Sequence, residues 1–352
     1  IEDCVGTYQM TQTSITVRFG VLVGHNQTTI KNCNVKASID VKSNFYTSDS
    51  GHFYENINAG VAIGHNAGNV ENCSAQGNIC ASTWREVAAW SLDYYIIVGG
   101  FIGGQANTGV IKNCNSSVNV STSCVQGKRA YNYTTTGGFI GYNIGRIESS
   151  YTTAKCTVRS NSFHQQQTGG FVGYNEPGSS IDSCYSFATV YAESGNTDLG
   201  GFAGNNNGSI RSCFSAGTVN CNTGSGRTGG FCGYNQSSGT LTKNYSTSDV
   251  NANCSVNYFV ERNDGTLLKN YFLNTSVTMY KGELVAQGNE GNATALAYDK
   301  LFSKNFLVDD LGWNESGWVI VVDDCPMLET EFFHGHNFDI TTYAPTCEAA
   351  GF

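Results

Sequence analysis

Proline and charged residues are scarce in this chain of 352 residues. It contains three prolines and three methionines, and charged residues make up 13% of the sequence. No apolar run approaches the length of a membrane span. The net charge of −9 comes without a basic stripe, so we expect no nucleic-acid partner. Aromatic residues still reach 12%, and the low charge therefore does not indicate a disordered chain.

Catalytic and metal-binding motifs are also missing. The sequence has neither HExxH nor GxSxG. A carboxylate pair could come from acidic residues near the C-terminus, namely Asp309, Asp310, Asp323 and Asp324. Acids do not recur in every copy at a fixed position of the repeat strands, however. His25 with His65, or His334 with His336, could form a metal pair, yet no further ligands cluster with them. We therefore predict no enzyme activity, no cofactor and no metal site.

Glycine is abundant, with 42 residues, and it belongs to one recurring phrase. The clearest copy is GGFIGYN at 137–143, and related copies stand at 20–26, 60–66, 99–105, 169–175, 200–206, 229–235 and 257–263. The spacing of equivalent glycines shrinks along the chain, which predicts an extra strand or excursion in the early copies. A fixed phrase repeated eight times indicates a repeat architecture with one continuous core.

The second half of each repeat alternates with period two, which is typical of a strand. In the copy at residues 181–190, alternate residues are expected to face inward: Ile181, Cys184, Ser186, Ala188 and Val190. The residues that alternate with them from Tyr185 to Tyr191 are expected to face outward. We predict an all-β fold, a β-solenoid of eight or nine coils, over residues 1–280. Residues 281–352 are expected to form a C-terminal capping or assembly segment, with a short helix near 293–304.

The glycine-rich phrase resembles the GLUG-motif repeat family, known mainly from bacterial and protist surface proteins. The resemblance covers residues 20–277, and LGWNESGWVIVVDDCPML at 311–328 looks like the closing segment that follows such repeats. It implies a β-solenoid but specifies no activity. Some members of the family are joined to peptidase domains, and no such domain is visible in this sequence.

Cysteines recur at one inward position of the repeat. Aligning the copies places these residues in a column: Cys4, Cys33, Cys73, Cys114, Ser150, Cys184, Cys213, Asn244 and Asn270. Adjacent coils lie about 4.8 Å apart, and disulfides need Cα separations of about 4.4–6.8 Å. We predict the pairs Cys4–Cys33, Cys73–Cys114 and Cys184–Cys213, with a column of reduced thiols as the alternative.

The remaining cysteines are harder to assign. Cys80–Cys124 and Cys221–Cys254 lie just past the same strand in neighbouring copies, and Cys325–Cys347 could hold the C-terminal segment. Cys156 and Cys232 are left without partners. Fourteen cysteines in total favour a secreted chain. The sequence begins at Ile1 without an initiator Met, and we interpret it as a mature or trimmed chain.

Twelve N-x-S/T acceptors add to the case for secretion. Asn26 and Asn235 belong to the Gly-x-Asn phrase, where stacked amides are expected to form a buried ladder, so these two should escape glycosylation. The remaining acceptors are the predicted glycosylation sites: Asn72, Asn115, Asn119, Asn132, Asn207, Asn244, Asn253, Asn274, Asn292 and Asn314.

The two ends of the sequence contain complementary halves of a repeat. IEDC, from Ile1 to Cys4, is a second half, and FHGHN at 333–337, with Phe333, Gly335 and Asn337, resembles a first half. One chain could therefore add its strand to the next, head to tail. The leading hypothesis is a glycosylated structural subunit of an extracellular filament, appendage or cell coat. The alternatives are a surface adhesin module for glycans or host protein and, least favoured, a carbohydrate-active enzyme.

Overall fold

The computed structural model describes residues 14–44, 53–84, 92–125, 131–153, 157–162, 165–285, 293–313, 318–319 and 326–328. It is a β-solenoid of eight coils, as the repeats predict. Each coil contributes strands to four sheets, which we call A, B, C and D in chain order, and every contact between successive coils is parallel and in register. In the described residues, no helix is long and apolar enough to cross a membrane.

Sheets A, B and C contain one strand from each coil, so the coils are numbered 1 to 8 by these strands. The strands of sheet A are Ser14–Phe19, Phe53–Gly60, Leu92–Gly99, Tyr131–Gly137, Gln165–Gly169, Asn196–Gly200, Ser225–Gly229 and Ser255–Asn257. The strands of sheet B are Val23–Asn26, Ile63–Asn66, Ile102–Gln105, Ile140–Asn143, Val172–Asn175, Ala203–Asn206, Cys232–Asn235 and Val260–Asn263. The strands of sheet C are Thr29–Lys31, Asn69–Glu71, Val110–Lys112, Arg146–Glu148, Ser180–Asp182, Ser209–Arg211, Thr240–Thr242 and Thr266–Leu268.

Sheet D differs between the early and the late coils. Coils 1 to 3 contribute unbroken strands of 11 residues: Asn34–Asn44, Ser74–Trp84 and Asn115–Val125. Coils 4 to 8 contribute two shorter strands each: Tyr151–Thr152 and Thr157–Ser162, Tyr185–Ser186 and Thr189–Ala192, Phe214–Ser215 and Thr218–Cys221, Tyr245–Ser246 and Asp249–Ala252, Tyr271–Leu273 and Thr278–Tyr280. In the described residues the early copies thus carry longer strands in sheets A and D. The segments between these strands, 45–52, 85–91 and 126–130, lie outside the described residues, so the extra strand or excursion stays a prediction.

The repeated glycine allows sheets A and B to pack directly against each other. A Cβ atom on Gly233 would lie 2.6 Å from the backbone nitrogen of Leu199 in sheet A and 2.8 Å from the carbonyl oxygen of Gly204. Only glycine fits at such a distance. Between the two sheets, the phenylalanine of the phrase turns into the core, where Phe139, Phe171 and Phe202 stack with ring centroids 4.7 and 4.8 Å apart.

Each turn from sheet C to sheet D contains one residue in the left-handed conformation. These residues have φ between 47° and 60° and stand immediately before the cysteine column: Asn32, Asn72, Asn113, Ser149, Ser183, Ser212, Lys243 and Lys269. Asparagine tolerates this conformation better than most residues. In the early coils the three asparagines also bond to one another, since the Nδ2 of Asn72 donates to the Oδ1 of Asn32 at 3.2 Å and that of Asn113 to Asn72 at 3.2 Å.

The C-terminal segment lies mostly along the side of the solenoid. Thr294–Leu296 extends sheet D past Tyr271–Leu273, and Glu283–Leu284 pairs antiparallel with Thr278–Tyr280. The chain then forms a helical turn at Tyr298–Leu301, a π-helical turn at Phe306–Asp310 and the strand pair Trp318–Val319 with Met327–Leu328. Two short strands, Thr294–Leu296 and Glu283–Leu284, therefore close the end of sheet D, and the later described elements cover its outer face. The cap over residues 281–352 stays a prediction.

Candidate functional site

The cysteine column exists as predicted, but it is a ladder of thiols. The backbone nitrogen of Cys33 donates to the Sγ of Cys73 at 3.3 Å, and the backbone nitrogen of Cys73 donates to the Sγ of Cys114 at 3.4 Å. The Sγ of Cys73 and the Sγ of Cys114 each donate to the carbonyl two residues earlier, at 3.2 Å. Ser150 takes the same position in coil 4, where its hydroxyl accepts from Cys114 and donates to Glu148.

The predicted pairs Cys73–Cys114 and Cys184–Cys213 are free thiols in the structure. Cα atoms one strand spacing apart suit a disulfide, but in-register side chains point the same way instead of towards each other. Burial raises the pKa of Cys114 and of Cys213, but the hydrogen bond with Cys114 lowers the pKa of Cys73 to about 6, so side-chain direction and not pKa disfavours these pairs. The structure thus holds these pairs reduced, which was the stated alternative, and we expect reduced thiols at these four positions. Cys33 is also a free thiol, and Cys4 lies outside the described residues.

The other predicted pairs have different outcomes. Cys80 is in register with Ser121, and Cys124 with Thr83, so Cys80 and Cys124 stand three residues apart on neighbouring strands. An odd offset places their side chains on opposite faces, and this predicted disulfide is wrong. Cys221 and Cys254 do meet, with their Sγ atoms 2.9 Å apart. Cys325 and Cys347 lie outside the described residues, as does Cys156, while Cys232 is fully buried in sheet B.

The asparagine ladder of sheet B is present and buried. Asn143 donates through Nδ2 to the Oδ1 of Asn175 at 2.8 Å, and Asn175 donates in the same way to Asn206 at 2.8 Å. Asn206 continues to Asn235 at 2.7 Å, and Asn26 donates to Asn66 at 2.8 Å in the early coils. The Nδ2 of each of these asparagines therefore provides a hydrogen-bond donor for the buried Oδ1 of the asparagine in the next coil. Asn26 and Asn235 are buried, so neither side chain is accessible to a glycan in the folded protein.

The predicted glycosylation sites fall into three groups. Asn72, Asn119, Asn253 and Asn274 are exposed, and Asn115 and Asn207 are half-buried. Asn244 is fully buried in the cysteine column, where its Nδ2 donates to the Ile210 carbonyl at 3.1 Å, so its assignment as a glycan site is wrong for the folded protein. The structure does not describe three further sites: Asn292, Asn314 and the side chain of Asn132. Occupancy of the accessible sites stays a prediction.

His25 and His65 lie in an outward row of sheet B. Their ring centroids are 5.1 Å apart in an edge-to-face arrangement. Burial, assisted by Arg18 and His25, lowers the pKa of His65 to about 4, so its ring is neutral at physiological pH. Among the described residues, no three His, Cys, Asp or Glu side chains are placed to hold a metal ion. His334, Gly335 and His336 lie outside the described residues.

Asp198 is a buried carboxylate that sequence reasoning missed. Its Oδ1 accepts from the Nε of Arg227 at 2.6 Å, and its Oδ2 accepts from the Nδ2 of Asn205 at 2.9 Å. Burial raises the pKa of Asp198, and the charge of Arg227 opposes that shift. Arg227 also lies over the ring of Tyr234, 4.1 Å from its centroid. Both carboxylate oxygens are occupied, so this group acts as a structural anion.

The acids suggested near the C-terminus do not form a described pair. Asp309 and Asp310 are exposed at the π-helical turn, where the carbonyl of Asp310 accepts a hydrogen bond from the Nζ of Lys269 at 3.0 Å. Asp323 and Asp324 lie outside the described residues. The predicted assembly residues Ile1, Cys4, Phe333, Gly335 and Asn337 also lie outside them.

An aromatic column on the outer face of sheet D receives the C-terminal segment. Tyr185, Phe214 and Tyr245 stack with centroids 4.9 Å apart, and all three are fully buried although their strand position faces outward. Trp318 lies 5.9 Å from Phe214. The sequence carries a signal for this contact: the residue after the column position is aromatic only in the late copies, at Tyr151, Tyr185, Phe214, Tyr245 and Tyr271.

The comparisons with known proteins agree with this repeat geometry. A family model described as "The GLUG motif" matches residues 94–121, which run from sheet A to sheet D of coil 3. The chain contains a GLUG motif in coil 3. The predicted resemblance is therefore confirmed, and the matched stretch contains both the glycine phrase of coil 3 and Cys114 of the thiol ladder.

The chain also has a similar solved structure. A solved structure from Bacteroides ovatus, described as a "putative immunoglobulin A1 protease", is similar, with a TM-score of 0.46 and 18% identity. The alignment covers 80% of this chain and 94% of that one. No curated protein matches the chain.

Proposed function

We propose that this GLUG-motif protein is an extracellular, glycosylated structural subunit that assembles head to tail into a filament, appendage or coat, and that it is not an enzyme. The observation that carries this proposal is the state of the terminal strands. Within the described residues, the end strands of sheets A, B and C pair on one side only, in coil 1 and in coil 8. Such edges present unpaired backbone groups to a further strand.

Sheets B and C keep strands of the same length from coil 1 to coil 8, which supports addition of a second copy. Every coil also repeats the register of the one before it, so in these two sheets coil 8 of one molecule would meet coil 1 of another as it meets coil 7. The strand Thr294–Leu296 occupies only the end of sheet D. A head-to-tail contact would therefore be made by sheets A, B and C.

A proline in the first strand of sheet C tests the contact. The Thr28 carbonyl accepts from Asn69, and the Asn32 nitrogen donates to Glu71. Successive residues of a parallel strand direct their backbone groups to opposite neighbouring strands. Since Thr28 and Asn32 bond to coil 2, the N–H of Thr29 points to the open edge. Thr29→Pro removes that donor without breaking a bond to coil 2. We expect Thr29→Pro to abolish fibres in electron micrographs of the purified protein, while Thr29→Val, which keeps the N–H, forms them.

Deletion of residues 331–352 is the complementary test, since the predicted donor half-repeat lies there. We expect soluble monomers from the deleted protein. Undiminished fibres from both the deletion and Thr29→Pro would refute the filament proposal. Isolated rods that bind in a glycan array would support the adhesin hypothesis instead.

A further inference from the structure

Cys221 and Cys254 are placed differently from the thiols of the column. Cys221 ends the sheet D strand of coil 6, in register with Ala252 of coil 7, and Cys254 stands two residues past Ala252 at the bend. The bend turns the Cys254 side chain back towards coil 6, which brings the two Sγ atoms to 2.9 Å. In the column, by contrast, the Sγ of Cys213 accepts from the backbone nitrogen of Cys184 at 3.4 Å.

The surroundings of this pair favour reaction between the two sulfurs. Both side chains are buried, and the hydroxyls of Thr223 and Thr228 lie 3.1 and 3.2 Å from the sulfurs of Cys221 and Cys254. The hydrogen bond with Cys254 lowers the pKa of Cys221 to about 6, while the pKa of Cys254 rises. Cys221 is therefore the thiol that becomes the nucleophile.

We propose that Cys221 and Cys254 form a disulfide, and that its formation limits N-glycosylation of Asn253, the residue before Cys254. The proposal rests on the extracellular location proposed above, because an oxidising compartment supplies the disulfide that accepts the electrons. The Cys221 thiolate attacks that external disulfide and expels one of its sulfurs as a thiolate. Cys254 then loses its proton, attacks the Cys221 sulfur and expels the second thiolate. The two cysteines lose two electrons and two protons, and the external disulfide becomes two thiols.

The link to glycosylation follows from the sequence Asn253-Cys254-Ser255, an acceptor with cysteine in its centre. The Asn253 side chain is exposed, but its backbone nitrogen donates to the Cys221 carbonyl at 2.9 Å. A disulfide would fix the middle residue of the acceptor to coil 6. The glycan-transferring enzyme must hold all three residues in its own site, so closure of this bend competes with transfer.

The chain contains its own control. Asn72-Cys73-Ser74 is also an acceptor with central cysteine, and Asn72 is exposed. Cys73 belongs to the thiol ladder, where its Sγ accepts from the backbone of Cys33, and its neighbours in the column point the same way. No disulfide is expected there, and Asn72 should be glycosylated without competition from disulfide formation.

The test is peptide mapping of the full chain secreted from eukaryotic cells, with free thiols alkylated before digestion. We expect a cross-linked peptide containing Cys221 and Cys254, and alkylated Cys73, Cys114, Cys184 and Cys213. Cys221→Ser should increase the glycosylated fraction at Asn253 and leave that at Asn274 unchanged. The matched variant Cys114→Ser should change neither Asn253 nor Asn72.

Alkylated Cys221 and Cys254 in protein that carries N-glycans elsewhere would overturn the proposal, and the extracellular location would stand. A cross-link without any change at Asn253 in Cys221→Ser would overturn the coupling to glycosylation. Protein without any glycan or disulfide would instead count against secretion. The mapping uses the unaltered chain, so it is informative even when a variant folds poorly.

Discussion

Trp313 packs against Tyr245, with ring centroids 5.5 Å apart, and its Nε1 donates a hydrogen bond to the carbonyl of Lys243 at 2.9 Å. Lys243 is one of the left-handed corner residues, so the tryptophan binds both the outer aromatic column and the adjacent turn. The C-terminal segment is thereby fixed to coil 7.

Removing this tryptophan should loosen the C-terminal segment. Trp313→Ala takes away a buried ring and leaves a cavity over Tyr245, so we expect a loss of about 3–5 kcal/mol. Trp313→Phe keeps a ring but not the hydrogen bond, and should cost about 1 kcal/mol from that bond, plus the difference in packing. Denaturant unfolding and limited proteolysis would measure both. Equal stability of Trp313→Ala and the parent protein would contradict the described packing.

The buried ion pair Asp198–Arg227 predicts a pH-dependent effect. Arg227→Met leaves a buried carboxylate without its cation, and we expect a loss of about 3 kcal/mol or more at neutral pH. Without Arg227, the pKa of Asp198 rises further above its unfolded value, so the folded state favours the protonated acid. The loss is therefore full at neutral pH and shrinks as the pH falls through the raised pKa.

Urea unfolding of Arg227→Met at pH 7 and at lower pH would measure this dependence. The exposed pair Arg211–Asp182, which also joins adjacent coils, provides the control. Arg211→Met should cost less than about 1 kcal/mol at either pH. A pH-independent loss in Arg227→Met would show that the lost packing of the arginine, and not the unpaired charge, is responsible.

The thiol ladder should tolerate serine but not an apolar residue. Ser150 already makes the two ladder bonds in coil 4, so Cys114→Ser is expected to change stability by less than about 1 kcal/mol. Cys114→Val removes the acceptor for the backbone nitrogen of Cys73, and should cost about 1–3 kcal/mol. Thermal unfolding of the two variants under reducing conditions distinguishes them. The ladder would be refuted by equal loss in both.

The glycine of the repeat phrase should not accept a methyl group. In Gly233→Ala the new Cβ would lie 2.6 Å from the Leu199 nitrogen, so sheets A and B must separate, at a cost of about 1–3 kcal/mol or more. Gly224 lies in the bend between coils 6 and 7, where an added Cβ would have no described neighbour within 4 Å. Gly224→Ala should be neutral or stabilising by about 0.4–1 kcal/mol. Urea midpoints of the two variants test the contrast.

The repeat predicts the fold well because equivalent residues of successive copies stack on one another, so aligning the copies also predicts which residues are in contact. Once the copies are aligned, Cys33, Cys73 and Cys114 must lie above one another, and so must Asn143, Asn175 and Asn206. The direction in which a stacked side chain points is a separate matter, set by local backbone geometry. The alignment therefore predicts the column of thiols. It does not predict whether neighbouring sulfurs point towards each other, in the column or between Cys80 and Cys124.

Contacts made outside the repeat could not be obtained from the alignment. Tyr185 alternates as an outward residue, and only the position of the C-terminal segment makes it buried. The same limit applies to Asp198, since its partner Arg227 occupies the equivalent position in the next coil and neither residue recurs. Periodicity reports what the copies share, and these contacts depend on how single copies differ.

The amide ladder of sheet B has one direction. Asn26, Asn143, Asn175, Asn206 and Asn235 each pass their Nδ2 hydrogen to the following coil. The solenoid is therefore a polar object, with a donating end at coil 8 and an accepting end at coil 1. Two identical ends would present donor to donor or acceptor to acceptor, so end-to-end contact through this ladder cannot have two-fold symmetry. Growth by this route does not close on itself as a dimer.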